Sequence, residues 1–196
     1  MSCQILDNLP TQQTFDTSMT KRTFPNQLRL NKPRNIGLSE LEKGIALQQT
    51  GKVSESIAIF EKIVEKTPSN YLARINLGLS HLLNNDPLQG SKVLHLLHEE
   101  RPDDADVLRL CGKAYTKLGQ FELATKFYKR ALKLNEKDYE VWLDLTNAAA
   151  SSQKNTEALY FATQAISLNP KDPRAHLNLG GALNSVGRTK DALYCF

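Results

Sequence analysis

Residues 105–138 read ADVLRLCGKAYTKLGQFELATKFYKRALKLNEKD, and this stretch decides the fold because its pattern recurs along the chain. A glycine stands in one register at 34-residue intervals, with Thr146 in the remaining place: Gly44, Gly78, Gly112 and Gly180. Twelve residues after each of these positions comes a small residue, and four further on comes an apolar residue. A fixed period of this length is typical of stacked helical hairpins. We therefore predict an all-α fold with units starting at residues 37, 71, 105, 139 and 173.

Each recurring position has a physical reason in such a hairpin. Glycine and the small residue allow two antiparallel helices to approach closely, and we expect the apolar position to fill the space between one hairpin and the next. Proline closes three units because it cannot continue a helix. Helix starts agree with this division, since Ser39-x-x-Glu42 forms a capping box and Asp86-Pro87 places an N-cap before a first-turn proline. Asp172-Pro173 repeats that second signal.

The pattern resembles the tetratricopeptide repeat family over residues 37–196. The third unit carries most of the family's positions, and the fourth carries its tryptophan: Gly112, Tyr115, Gly119, Ala124, Tyr128, Ala131 and Trp142. The departures are scattered single residues: His81, Gly90, Glu136 and Thr146. The resemblance implies a right-handed superhelical solenoid of about 4.75 units, with the first helix of each unit lining the concave side. Residues 1–36 lack this pattern and contain three prolines, so we predict a flexible N-terminal leader there.

The repeat explains each residue that resembles part of a catalytic, cofactor or metal motif. Gly44 and Gly51-Lys52 do not have the spacing of a phosphate loop. His95 and His98 lie three residues apart on a helix, but no Cys or further His follows nearby to complete a metal site. Cys111 stands where leucine stands in other units, as expected of a small core residue. We therefore predict no catalytic residue, no cofactor and no metal, and a chain that is not itself an enzyme.

The resemblance implies a peptide-binding groove along the first helices, and polar residues fill its predicted lining. The candidate groove residues are Asn76, Arg109, Lys113, Lys117, Asp144, Asn147, Asn178 and Asn184. Asn76 and Asn178 share one unit position, with Asp144 between them, and a row of amides can hydrogen-bond a peptide backbone. In this respect the chain partly resembles the repeat arm of O-linked N-acetylglucosamine transferases. Chaperone-tail binders of the family present a Lys and an Asn where this chain has Leu41 and Ile45, which disfavours that binding mode.

Two functions remain open at this point. The first is a scaffold that binds a peptide or partner protein in its concave groove. The second is the substrate-binding arm of a larger enzyme, glycosyltransferase-like, with a catalytic domain beyond residue 196; the pattern stops inside a helix, and we expect it to continue. The formal net charge is +4, of which residues 1–36 carry +3, so we predict no nucleic-acid partner.

The sequence also predicts the cellular compartment of the protein and whether it self-associates. The apolar runs are too short to span a membrane, and three widely spaced cysteines favour a reducing compartment. We therefore predict a cytoplasmic protein. We also expect weak self-association through the C-terminal edge, because Ala192, Leu193 and Phe196 belong to an incomplete hairpin.

Overall fold

The computed structural model describes residues 39–195. The predicted leader, residues 1–36, lies outside this range. The described chain consists of consecutive helices: α1 (Glu40–Gln49), α2 (Val53–Lys66), α3 (Tyr71–Leu83), α4 (Pro87–Glu100), α5 (Ala105–Lys117), α6 (Phe121–Leu134), α7 (Tyr139–Ser151), α8 (Asn155–Leu168), α9 (Pro173–Ser185) and α10 (Thr189–Ala192), which runs into a 3-10 turn (Leu193–Cys195). This architecture confirms the all-α prediction.

Each unit has an N-cap before its first helix and a left-handed residue between its two helices. Four caps recur at 34-residue intervals, and their side chains accept hydrogen bonds from first-turn N–H groups: Asn70, Asp104, Asp138 and Asp172. The residue between the helices has positive φ in every unit: Gly51, Asn85, Gly119, Gln153 and Gly187. Glycine adopts this conformation without steric cost, whereas the glutamine of the fourth unit does not.

The helices pack in chain order, and each contacts the next. The first helices of successive units (α1, α3, α5, α7 and α9) also contact one another. The second helices of successive units make no comparable contact within residues 39–195. The array therefore curves toward its first helices, which form the concave face.

The recurring glycine meets the apolar residue of its own hairpin, which refines the prediction for these two positions. A Cβ on Gly44 would lie 2.6 Å from Cε1 of Phe60, and a Cβ on Gly78 would lie 2.7 Å from Cγ of Leu94. Gly112 faces the Tyr128 ring in the same way. Phe60 also packs against Ala73 and Leu77 of the following unit, so this side chain fills the glycine's gap and the joint between hairpins.

In the fourth unit, the larger residue of this pair is on the first helix and the smaller one is on the second. Thr146 occupies the glycine position, is buried, and donates its hydroxyl to the carbonyl of Trp142. Ala162 occupies the apolar position and is also fully buried. A larger residue on the first helix is therefore matched by a smaller one on the second, and the close helix approach is kept.

Candidate functional site

A depression of about 210 Å³ opens on the face shared by α5, α7 and α9. Residues three and four apart lie on the same side of a helix, so α7 and α9 each present several side chains to it, and α5 adds one. Its lining residues are Lys113, Glu140, Leu143, Asp144, Asn147, Arg174, Leu177 and Asn178. The first helices of three consecutive units thus converge on one site.

Asp144 lies at the centre of the charged part of this depression. Its Oδ2 is 3.4 Å from Nζ of Lys113 and 3.9 Å from Nη1 of Arg109, and Arg109 is itself buried. Both contacts are ion pairs without short hydrogen-bond geometry, and Oδ2 is shielded from solvent. Burial therefore prevails over the two cations and raises the pKa of Asp144 to about 6. The depression contains a carboxyl group that changes charge near neutral pH.

Arg174 connects the fourth and fifth units at the edge of the depression. Its guanidinium donates to both carboxylate oxygens of Glu140, at 2.7 and 3.2 Å, and to Asp172 at 2.8 Å. The hydrogen bonds from Arg174 to Asp172 hold the pKa of Asp172 at about 2. Arg174 therefore fixes the spacing of α7 and α9 and is already occupied by acidic partners.

The remaining lining combines two amides with an apolar surface. Asn147 is exposed and Asn178 is half-buried, and neither amide makes a hydrogen bond within the described part of the chain. Leu177 is 61% exposed, and Leu143 lies buried beside it. Free amide donors and acceptors next to an exposed aliphatic side chain suit a ligand with both backbone and apolar groups.

Four of the eight residues predicted from sequence line this depression: Lys113, Asp144, Asn147 and Asn178. Arg109 lies beneath them against Asp144. Asn76 is only 4% exposed, and its Nδ2 donates to the carbonyl of Leu72 at 2.7 Å, so its amide is turned back onto its own helix. Gln48 bridges across it, donating to the Asn76 carbonyl and to Ser80.

Lys117 and Asn184 are exposed but lie outside the depression. Asn184 accepts a hydrogen bond from Thr189 at 3.1 Å. Sequence interpretation missed Leu143 and Leu177 because it selected polar residues. The signal was present, since both leucines stand at the same unit position as Arg109.

The other candidates from sequence have structural roles. The His98 ring packs edge-on against Phe127, and its Nε2 is 3.4 Å from Nη1 of Arg130. Burial lowers the pKa of His98, as expected of a neutral packing residue. Cys111 is buried, and burial raises the pKa of its thiol to about 12, as expected of a small core residue. Within residues 39–195, no group of three or more His, Cys, Asp or Glu side chains is placed to hold a metal ion.

None of the helices in the described range is both long and apolar enough to cross a bilayer.

The same fold occurs in solved structures of proteins with low sequence identity to this chain. The fold is similar to the crystal structure of TTC0263, a thermophilic TPR protein from Thermus thermophilus, with a TM-score of 0.70 and 20% identity over 80% of this chain and 86% of that one. It is also similar to the crystal structure of MamA, with a TM-score of 0.67 and 20% identity over 78% of this chain and 90% of that one. No curated protein matches the sequence.

Two sequence models, both described as tetratricopeptide repeat, match residues 41–88 and residues 105–138. The matched segments fall on the first, second and third hairpins, and the fourth and fifth hairpins continue the same helix order and packing. Residues 41–88 and 105–138 of this chain are thus tetratricopeptide repeats, and they stand in an array of helical hairpins with a 34-residue period.

Proposed function

We propose that this chain is a protein-interaction scaffold that holds an extended peptide segment of a partner in the depression between α5, α7 and α9. The observation that carries the proposal is the exposed Leu177 flanked by the unpartnered amides of Asn147 and Asn178. An amide supplies two donors and one acceptor, so it can pair with a peptide backbone regardless of sequence. Exposed apolar surface in a concave site favours burial of one ligand side chain.

The charges of the depression indicate which peptide fits best. Lys113 is one-third exposed and shares its charge with the largely buried Asp144. Around Lys113, the positive charges of Lys113 and Arg109 exceed the negative charge of Asp144. At the other edge, Glu140 and Asp172 offset the charge of Arg174. We therefore expect a peptide with an aliphatic residue seated on Leu177 and an acidic residue near Lys113.

The alternative is a substrate-binding arm of a larger enzyme, and the arm that this chain partly resembles carries a row of asparagines along its groove. Asn76 is buried and bonded to its own helix, so this row has one available amide, Asn178, at the shared unit position. That arrangement supports local capture of a short segment more than continuous contact along the array.

Binding can be tested with peptides selected on the wild-type chain from a phage-displayed library of random 12-residue sequences. The affinity of a selected, fluorescently labelled peptide is then measured for the double variant Asn147→Ala/Asn178→Ala. Loss of two hydrogen bonds, each contributing about 0.5–1.5 kcal/mol, predicts roughly a 10-fold weaker complex. Leu177→Ser should weaken the same complex by a similar factor.

Asn184→Ala is the matched control, because Asn184 was predicted from the same sequence pattern and lies outside the depression. It should leave the affinity unchanged. If the peptides bind the double variant and Leu177→Ser as tightly as the wild type, the depression is not the binding surface.

A further inference from the structure

The exposed face of α6 carries an unusual concentration of positive charge. We call it the α6 basic face, and it consists of Lys126, Lys129, Arg130, Lys133 and, just after the helix, Lys137. All five side chains are exposed. Arg130 contacts Asp103 and the carbonyl of Pro102, whereas the four lysines have no ion-pair partner in the described part of the chain.

Helical spacing brings these charges close together. Lys126, Arg130 and Lys133 follow one side of the helix at intervals of four and three residues. From Lys126 to Lys133 the helix rises about 10 Å, close to the screening length of roughly 8 Å at physiological salt. Like charges at this spacing repel one another, so the face is stabilised by any ligand that neutralises it.

The other second helices do not share this feature. On α2, Lys62 and Lys66 both pair with Glu40. On α8, the single charged residue is Glu157. The positive charge is therefore a local property of α6 and not a general property of the convex surface.

An aromatic pair borders the C-terminal end of this face. The Trp142 indole donates to the carbonyl of Glu136, next to Lys137, at 2.9 Å. Tyr160 meets Trp142 edge-on, with ring centroids 6.3 Å apart, and is 56% exposed. A ligand lying along the lysines thus reaches an exposed aromatic ring at one end.

We propose that the α6 basic face binds a segment of a partner protein that is rich in Asp and Glu. The shape of the charge favours this partner. The face is one helix wide, and carboxylates adjoin it: Asp103 pairs with Arg130, Glu122 lies one turn before Lys126, and the exposed Glu136 precedes Lys137. A flat anionic membrane or a nucleic-acid duplex extends over these carboxylates, whereas a narrow acidic peptide avoids them.

This surface is separate from the concave depression because second helices form it and first helices form the depression. Two partners, or two segments of one partner, can therefore bind at once. The inference does not depend on the proposed function of the depression.

The test uses the full chain and a fluorescein-labelled peptide of eight alternating Glu and Asp residues followed by one Leu. Fluorescence anisotropy at 50 mM salt should show binding that weakens steeply as salt is raised. The triple variant Lys126→Gln/Lys129→Gln/Lys133→Gln should weaken it by about 10-fold or more, and should reduce the dependence on salt. Glutamine keeps the helix propensity of lysine, and unchanged circular dichroism confirms folding.

The matched control is Lys92→Gln/Lys171→Gln/Lys190→Gln, which removes the same charge from three exposed lysines elsewhere. It should change the affinity by less than about 2-fold if the α6 basic face acts as a site. Equal losses in the two triple variants overturn the proposal, because binding then reflects net charge alone. The same experiment with vesicles of anionic phospholipid and with a DNA duplex distinguishes the partner class. Tighter binding to either of these than to the peptide, lost in the α6 variant, also overturns it.

Discussion

At the scale of single residues, the glycine and the apolar residue of each hairpin act as a volume-matched pair. Any side chain on Gly112 overlaps the Tyr128 ring, whereas the fourth unit pairs Thr146 with Ala162 in the same places. We expect Gly112→Thr to lower the free energy of unfolding by about 1–3 kcal/mol through overpacking. Tyr128→Ala should lower it by about 3–5 kcal/mol through the cavity it leaves.

The double variant Gly112→Thr/Tyr128→Ala copies the fourth unit and should be more stable than the sum of the single changes predicts. A coupling of about 1–3 kcal/mol is expected in urea denaturation of all four proteins. Strict additivity would show that the two positions are independent, contrary to the contact between them.

The ionisation of Asp144 makes the free energy of unfolding depend on pH. Its pKa is raised to about 6 in the folded chain from an ordinary value of 3.8, so the folded state binds this proton more tightly than the unfolded state does. Its ionisation therefore costs stability above pH 6, and that cost disappears as the pH falls toward 4. We expect the stability of the wild type relative to Asp144→Asn to rise by about 1–3 kcal/mol between pH 7 and pH 4.

Thermal or urea denaturation of both proteins across this range measures the difference and removes contributions that they share, such as that of His98. A difference that falls as the pH is lowered would show that Lys113 and Arg109 outweigh burial at Asp144.

At the scale of elements, the turn between the two helices of a unit requires a left-handed residue, and the fourth unit uses Gln153 with φ of 58°. A non-glycine residue in this conformation destabilises the folded state by about 1–2 kcal/mol. Replacing it with glycine removes this strain, but the larger conformational entropy of glycine in the unfolded chain offsets part of the stabilisation. We expect Gln153→Gly to raise the free energy of unfolding by about 0.5–1 kcal/mol, measured by thermal denaturation.

Gly119→Gln in the third unit is the reverse experiment. Gly119 has φ of 73° and no atom within 4 Å of the place where a Cβ would stand, so backbone conformation alone decides the outcome. Destabilisation of similar size is expected. An unchanged melting temperature in both variants would mean that these turns relax to another conformation.

Elements are also the scale at which sequence was most informative. The 34-residue period predicted the hairpins, because Gly44, Gly78 and Gly112 mark positions where a side chain of the second helix leaves no room for a Cβ. Side-chain choices were harder to predict. Asn76 and Asn178 have nearly the same sequence around them, yet Asn76 is buried with its amide donating to Leu72, because Gln48 from the preceding unit covers its helix. Leu177 belongs to the lining of the depression because its side chain is exposed, and the repeat period does not predict the exposure of an individual side chain.

At the scale of the whole molecule, one proposed surface lies on the first helices of the units and the other lies on a second helix. First helices contact one another and carry the depression, while second helices diverge and present side chains such as Lys126 and Lys133 to solvent. The depression draws on three neighbouring units, so displacement of one hairpin disturbs its lining. The charge of the α6 basic face belongs to a single helix and depends less on the curvature of the array.

Self-association is the prediction that belongs to the whole chain. Leu193 and Tyr194 are 70% and 68% exposed, beside Ala192 and Cys195, which are buried; Phe196 lies outside the described residues. Two adjacent exposed apolar side chains at one end of the array favour contact with a second copy at high concentration. Sedimentation velocity from about 10 to 500 µM should show a weak, concentration-dependent increase in mass that persists at high salt, since burial of apolar surface is not screened.

Leu193→Ser/Tyr194→Ser should weaken this association by roughly 10-fold, because it removes most of the apolar area available at that end. Leu96→Ser/Leu134→Ser is the matched control, since both leucines are about half exposed but lie on the second helices of the second and third units. The control variant should associate like the wild type. Association that disappears at high salt, or that the control variant reduces equally, would assign the contact to a charged or convex surface instead of the C-terminal edge.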